Sequence, residues 1–144
     1  MRDTENSLEP VHADDDEREG HRWSQWLVTF LRAMAAVSLI KGLYHWSVVI
    51  GIAAPNDAAF DGYATPYQAA TIFFAVIDLV AAVGLWLAAP WGAVVWLTSV
   101  VSMAVVEALF PQVYGGSILV VMVEVALLAA YLGLALMAAR EQPA

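Results

Sequence analysis

The chain has 144 residues, enough for one domain, and 61% of them are hydrophobic while only 14% are charged. This composition is typical of a membrane protein and excludes an ordinary soluble domain. Eight of the 14 acidic residues precede His21, so the net charge of -8 largely reflects one short segment, and nucleic acid is not expected as a partner. The absence of cysteine excludes disulfides, thiolate metal sites and cysteine nucleophiles.

The first 22 residues are polar and acidic and lack apolar periodicity. They are predicted to form a disordered cytoplasmic tail, residues 1–22. The first hydrophobic helix is predicted at about 26–52, where Trp23 and Trp26 stand at the usual position of interfacial aromatic residues. Lys41 lies near the middle of this helix, too deep for its side chain to extend to the interface at a low free-energy cost. His45 lies one turn further along on the same face.

Three more apolar segments are long enough to span a bilayer, at about 67–89, 91–110 and 117–139. Thr65 is predicted as the N-cap of the second helix, with Gln68 completing a capping box. The sequence therefore predicts an all-α membrane protein, a four-transmembrane-helix bundle over residues 23–140.

The distribution of basic residues predicts the orientation of this bundle. Four arginines lie at the end that carries both termini, while the loops at 53–66 and 111–116 contain no lysine or arginine. The arginines are Arg18, Arg22, Arg32 and Arg140. The positive-inside rule then predicts a multi-pass protein of the bacterial inner membrane with cytoplasmic N and C termini.

Charged residues recur at one depth in three of the predicted helices. An ionised aspartate at the centre of a span costs about 2.5–3.5 kcal/mol, so Asp78 requires a partner within the bundle. At the rise of an α-helix, Asp78 lies about 16 Å from the outer helix end, and Lys41 and Glu124 each lie about 14 Å deep. The sequence therefore predicts a buried charge cluster of Lys41, Asp78 and Glu124.

A second polar level is predicted nearer the outer surface. His45 and Glu107 each lie roughly 5–8 Å from the outer helix ends and form the predicted outer polar layer. Gln68, Thr71 and Tyr131 share helix faces with the charged residues and are predicted to support them.

Two interpretations of these residues remain open. The polar groups can be structural, with a buried salt bridge that sets helix register. Alternatively, three carboxylates facing Lys41 and a titratable His45 leave an excess of negative charge, so at least one carboxyl holds a proton or shares one with His45. Carboxylates and a histidine at two depths are also the composition of a proton relay or a cation site.

Two stretches carry a resemblance to known proteins. The segments ATIFFAVIDLVAAVGLWL (70–87) and PWGAVVWL (90–97), with LIKGLYHW (39–46), resemble a group of small uncharacterised alphaproteobacterial membrane proteins. This resemblance implies a four-helix bundle and no particular activity. The K-G-x-x-H pattern also resembles the DoxX-type membrane proteins, which are four-helix proteins sometimes tied to respiratory quinone chemistry.

Three functional hypotheses follow. The first, which we favour, is a non-enzymatic accessory or structural subunit that contacts the lipid bilayer and a larger membrane complex or further copies of itself. It uses Ser38–Gly42 and Ala129–Gly133 for close helix packing. The second is a proton- or ion-coupled carrier that uses Asp78, Glu124 and Lys41. The third is a quinone-linked respiratory subunit in which His45 and Tyr44, near the outer surface, hold a quinone headgroup. No metal or cofactor is predicted for the first two.

Overall fold

A computed structural model of the protein describes residues 13–54 and 59–141, with side chains described from Arg22 onward. The elements are α1 (Ala13–Val49), a 3-10 turn (Phe60–Gly62), α2 (Thr65–Trp86), α3 (Pro90–Leu109), α4 (Pro111–Tyr114) and α5 (Ile118–Arg140). Within the described ranges, α1 from Arg22 onward, α2, α3 and α5 are long and apolar enough to cross a membrane. The predicted four-helix membrane bundle is thus confirmed, and the protein is a multi-pass membrane protein.

The first helix begins earlier than the sequence pattern indicates. It starts at Ala13, so the backbone of residues 13–22 is helical where we predicted a disordered tail. The run from Asp14 to Glu17 falls in the first turns of this helix, and acidic residue types are favourable near the positive end of a helix dipole. The prediction for residues 1–12 lies outside the described residues.

The start of α2 also differs from the prediction. Ala64 is the N-cap and makes no side-chain capping bond, so the predicted capping box of Thr65 and Gln68 is wrong. Instead, Nε2 of Gln68 donates to the carbonyl oxygens of Asp61, at 3.2 Å, and Tyr63, at 2.6 Å. Gln68 therefore orders the loop before α2 and does not support the charge cluster.

Helices α2 and α3 form a hairpin in which the backbones touch. Gly84 and Gly92 face each other, and a Cβ atom on either one would overlap with the backbone of the other. The turn between the helices contains Ala88, whose φ of 51° is in the left-handed region. Two glycines at this contact allow the helices to approach closely just after a turn of three residues.

The bundle is packed in layers along its axis. Towards the end that carries the termini, an apolar core joins α1, α2 and α3 and consists of Leu31, Ala35, Ala81, Leu85, Trp96 and Val100. Polar residues replace it at mid-depth and towards the opposite end. Helix α1 packs most extensively on α2, whereas α5 packs on α3 and α1 and buries only Glu124 and Ala138 of its 23 residues.

Candidate functional site

The structure brings the three residues of the predicted charge cluster together. Nζ of Lys41 on α1 lies 3.8 Å from Oδ2 of Asp78 on α2 and 3.6 Å from Oε1 of Glu124 on α5. The two acids are buried, at 1% and 7% exposure respectively. One ammonium group is thus shared by two carboxylates on different helices, which confirms a buried Lys–Asp/Glu salt bridge.

Helix α3 contributes a hydroxyl group to the same site. Oγ of Ser99, a fully buried residue, donates a hydrogen bond of 2.5 Å to Oδ1 of Asp78. All four membrane-spanning helices therefore meet at the charge cluster, and the carboxylate of Asp78 lies between Ser99 and Lys41.

The hydrogen bonding of the cluster is incomplete. Oδ2 of Asp78 and Oε2 of Glu124 are buried and have no hydrogen-bond partner. Two carboxylates facing one lysine leave one excess negative charge, which is costly in a medium of low dielectric. Among the described side chains, no three His, Cys, Asp or Glu residues converge as metal ligands would.

A cavity borders the cluster on one side. It has a volume of about 260 Å³ and lies between α1, α3 and α5. Its lining is apolar except for two charged residues, and consists of Val37, Lys41, Met103, Leu119, Val120, Val123, Glu124 and Leu127. The side chain of Lys41 is 31% exposed, while those of its two partners are buried. The ammonium group is therefore the least enclosed member of the cluster.

The predicted outer polar layer does not form one unit, because His45 and Glu107 have separate partners. The ring of His45 stacks on Phe74, with centroids 5.8 Å apart, and lies 6.1 Å from the ring of Tyr114. The hydroxyl groups of Tyr114 and Thr71 are hydrogen-bonded at 3.1 Å. Burial raises the pKa of Tyr114 to about 12, against the opposing effect of this hydrogen bond, so Tyr114 stays protonated.

Glu107 has a role at the start of α5. Its Oε2 accepts a hydrogen bond of 2.8 Å from the backbone N–H of Ser117, the N-cap residue of that helix. The carboxylate lies at the positive end of the helix dipole, where negative charge is stabilising. Glu107 therefore links the end of α3 to the start of α5.

Tyr131 lies apart from the charge cluster. Its ring makes an edge-on contact with Trp96 at 5.7 Å and packs on the apolar core. Thr71 is buried on the other side of the cluster and pairs with Tyr114, a residue that the sequence pattern did not single out. Of the three predicted supporting residues, Gln68, Thr71 and Tyr131, none is hydrogen-bonded to the described groups of the cluster.

Comparison with known proteins places the chain in one family. The model of a family of unknown function, DUF6163, matches residues 25–142. No curated protein and no solved structure matches the chain. The resemblance to an uncharacterised family is thus confirmed, while the comparisons support neither the DoxX-type similarity nor the alphaproteobacterial origin.

Proposed function

The chain belongs to the DUF6163 family of unknown function, and we propose that it is a non-catalytic accessory subunit of a membrane complex. In this proposal the charge cluster holds α5 against the other three spanning helices. The observation that carries it is the position of Glu124, one of only two buried residues of α5, 3.6 Å from the ammonium group of Lys41. The cluster then sets the shape of the surface that the protein presents to its partners.

The proposed attachment of α5 rests on how little else buries this helix. Most of its large apolar side chains face outward, including Ile118, Leu119 and Met122 at 64–75% exposure. In lipid there is no hydrophobic driving force for such side chains to move against another apolar helix. Helix association is therefore decided by van der Waals packing and polar contacts. An ion pair to Lys41 at mid-depth and the bond from Glu107 at the start of α5 supply those contacts.

The proposed location is the bacterial inner membrane, with both termini in the cytoplasm. Arg22, Arg32 and Arg140 lie at the end of the bundle that carries the termini, and the loop from 111 to 116 has no lysine or arginine. This asymmetry supports the orientation through the positive-inside rule.

The contact that we propose for a partner helix lies on α5. Gly133 is exposed, and a Cβ atom added there would meet nothing within 4 Å. Small residues at such positions let a second helix approach closely. Gly42, by contrast, is covered by Leu79 of the same chain, so the Ser38–Gly42 segment serves packing of α1 on α2.

A proton-coupled carrier is the second candidate, and two observations favour it. The cluster holds one lysine for two carboxylates, and Oδ2 of Asp78 and Oε2 of Glu124 lack hydrogen-bond partners. Such a site can take up and release a proton without losing an existing hydrogen bond. His45 is buried and stacks on the ring of Phe74. The quinone hypothesis stays a prediction.

The two candidates are separated by a proton-flux measurement on purified protein in sealed vesicles after a pH jump. The subunit proposal predicts the same flux as in empty vesicles for the wild type and for Glu124→Gln. It also predicts that the wild type migrates above its monomer size in gentle detergent extracts of its native membrane. Flux that appears with the wild type and disappears with a folded Glu124→Gln variant would establish the carrier instead, and a bare monomer in the extract would contradict the subunit role.

A further inference from the structure

A wholly apolar groove lies between α1 and α2 in the half of the bundle that carries the termini. Its volume is about 320 Å³, and it is lined by Ala35, Ala36, Leu39, Ala82, Val83, Trp86 and Leu87. Its floor is made of small buried residues, Ala35 and Ala82, while Leu39, Val83 and Trp86 form exposed walls. Since alanine side chains cannot fill the space between the helices, the groove is open to an apolar occupant from the membrane.

A single positive charge marks one end of this groove. Arg32 precedes Ala35 and Ala36 by three and four residues, so it lies on the same face of α1. Its guanidinium carbon is 5.9 Å from the ring centroid of Trp86, which lines the groove. In the part of the chain that the structure describes, no carboxylate forms an ion pair with Arg32. Among the described residues, none thus occupies the donors of the guanidinium group as an ion-pair partner, and the group is placed to bind an anion.

We propose that the groove binds one acyl chain of an anionic phospholipid, with the lipid phosphate at Arg32. On α1 the groove is lined from Ala35 to Leu39, roughly 6 Å at the helical rise, and Arg32 lies about one turn before Ala35. A phosphate at Arg32 would therefore place the start of an acyl chain at the end of the groove. A guanidinium group binds phosphate through paired hydrogen bonds. Basic sites between membrane helices on the cytoplasmic side are typical places for anionic headgroups.

Charge complementarity favours a lipid over a second copy of the chain as the occupant. An apolar helix laid into the groove would cover Trp86 and Leu39 but would leave the charge of Arg32 without a partner. An anionic phospholipid satisfies both parts of the site, because its chain covers the apolar walls and its phosphate neutralises the arginine.

The test is a titration of the purified protein in detergent with phosphatidylglycerol and with phosphatidylcholine of the same acyl chains, read by native mass spectrometry. We expect phosphatidylglycerol to bind more tightly, and Arg32→Gln to weaken its binding about fivefold, as expected for one basic residue near an anionic lipid. Arg140→Gln is the matched control, since Arg140 is exposed at the same end of the bundle but does not border the groove. Glycerol phosphate, which has the phosphate but no acyl chain, is expected not to compete.

Filling the groove gives an independent check. Ala36 is exposed, so the leucine side chain of Ala36→Leu is expected to occupy the groove without disturbing the core. The variant is expected to bind both phospholipids more weakly. Circular dichroism verifies that each variant is folded. If Ala36→Leu is not folded, Val83→Leu on the opposite wall of the groove replaces it in the test. Equal binding of the two lipids by the wild type, or an equal loss with Arg32→Gln and Arg140→Gln, would overturn the proposal. So would a dimer that forms without lipid and is broken by Ala36→Leu.

Discussion

Replacing Lys41 with methionine is expected to lower the free energy of unfolding by about 3 kcal/mol. The substitution leaves two buried carboxylates, Asp78 and Glu124, without their shared cation. This value is at the low end for breaking a buried ion pair, because the side chain of Lys41 is itself 31% exposed. The measurement is reversible unfolding in mixed detergent micelles, with Arg140→Met as the control for loss of an exposed basic residue.

Removing the remaining charges as well is expected to restore most of this stability. In the triple variant Lys41→Met, Asp78→Asn, Glu124→Gln, no buried charge is left, and uncharged replacements of similar volume are often nearly neutral. Asp78→Asn alone is expected to cost only about 1 kcal/mol, since its Oδ1 can still accept the hydrogen bond from Ser99 and Lys41 keeps Glu124. A triple variant as unstable as Lys41→Met would show that the lysine acts through packing and not through its charge.

Substituting alanine for Gly92 is the second change with a large expected effect, a loss of about 2 kcal/mol in the free energy of unfolding. The new methyl group would overlap with the backbone of Gly84, which cannot move aside as a flexible side chain would. The α2–α3 hairpin would have to open, and Ser99 would move away from Asp78. The same micelle unfolding assay measures the loss.

The chain offers a matched control for this substitution. Gly133→Ala makes the same chemical change in a membrane-spanning helix, at a position where a Cβ atom meets nothing within 4 Å. It is expected to be neutral or slightly stabilising, because alanine favours the helix over glycine by about 0.5–1 kcal/mol. If Gly92→Ala and Gly133→Ala had equal effects, the close backbone contact between α2 and α3 would not contribute to stability.

The charge cluster could be predicted because helical rise is constant. Counting residues from the helix ends placed Lys41, Asp78 and Glu124 at one depth, and all three indeed meet. The same count places Ser99 at the depth of Asp78, to which it donates a hydrogen bond. Asp78 lies eight residues before Trp86, the last residue of α2, and Ser99 lies nine residues after Pro90, the first of α3.

Other contacts of the site could not be predicted from helical periodicity. The partner of Glu107 is a backbone N–H group, and because every residue except proline has one, residue type does not predict this contact. Tyr114 is the last residue of the short helix α4 and is followed by Gly115 in the left-handed conformation. Its contact with Thr71 therefore depends on the geometry of a turn. The sequence predicts that Tyr131 faces the bundle interior, and its ring does pack there. Tyr131 is seven residues from Glu124, however, which is about 10 Å along α5, so it lies at the level of the apolar core.

The most direct test of the shared lysine is a double-mutant cycle between Lys41→Met and Glu124→Gln, measured as free energies of unfolding. The 3.6 Å ion pair predicts a coupling energy of about 1–3 kcal/mol between these residues. A parallel cycle with Glu107→Gln, whose carboxylate binds the N–H of Ser117 instead, is predicted to be additive within about 0.5 kcal/mol. Additivity of Lys41→Met with Glu124→Gln would contradict the claim that Lys41 holds α5 in the bundle.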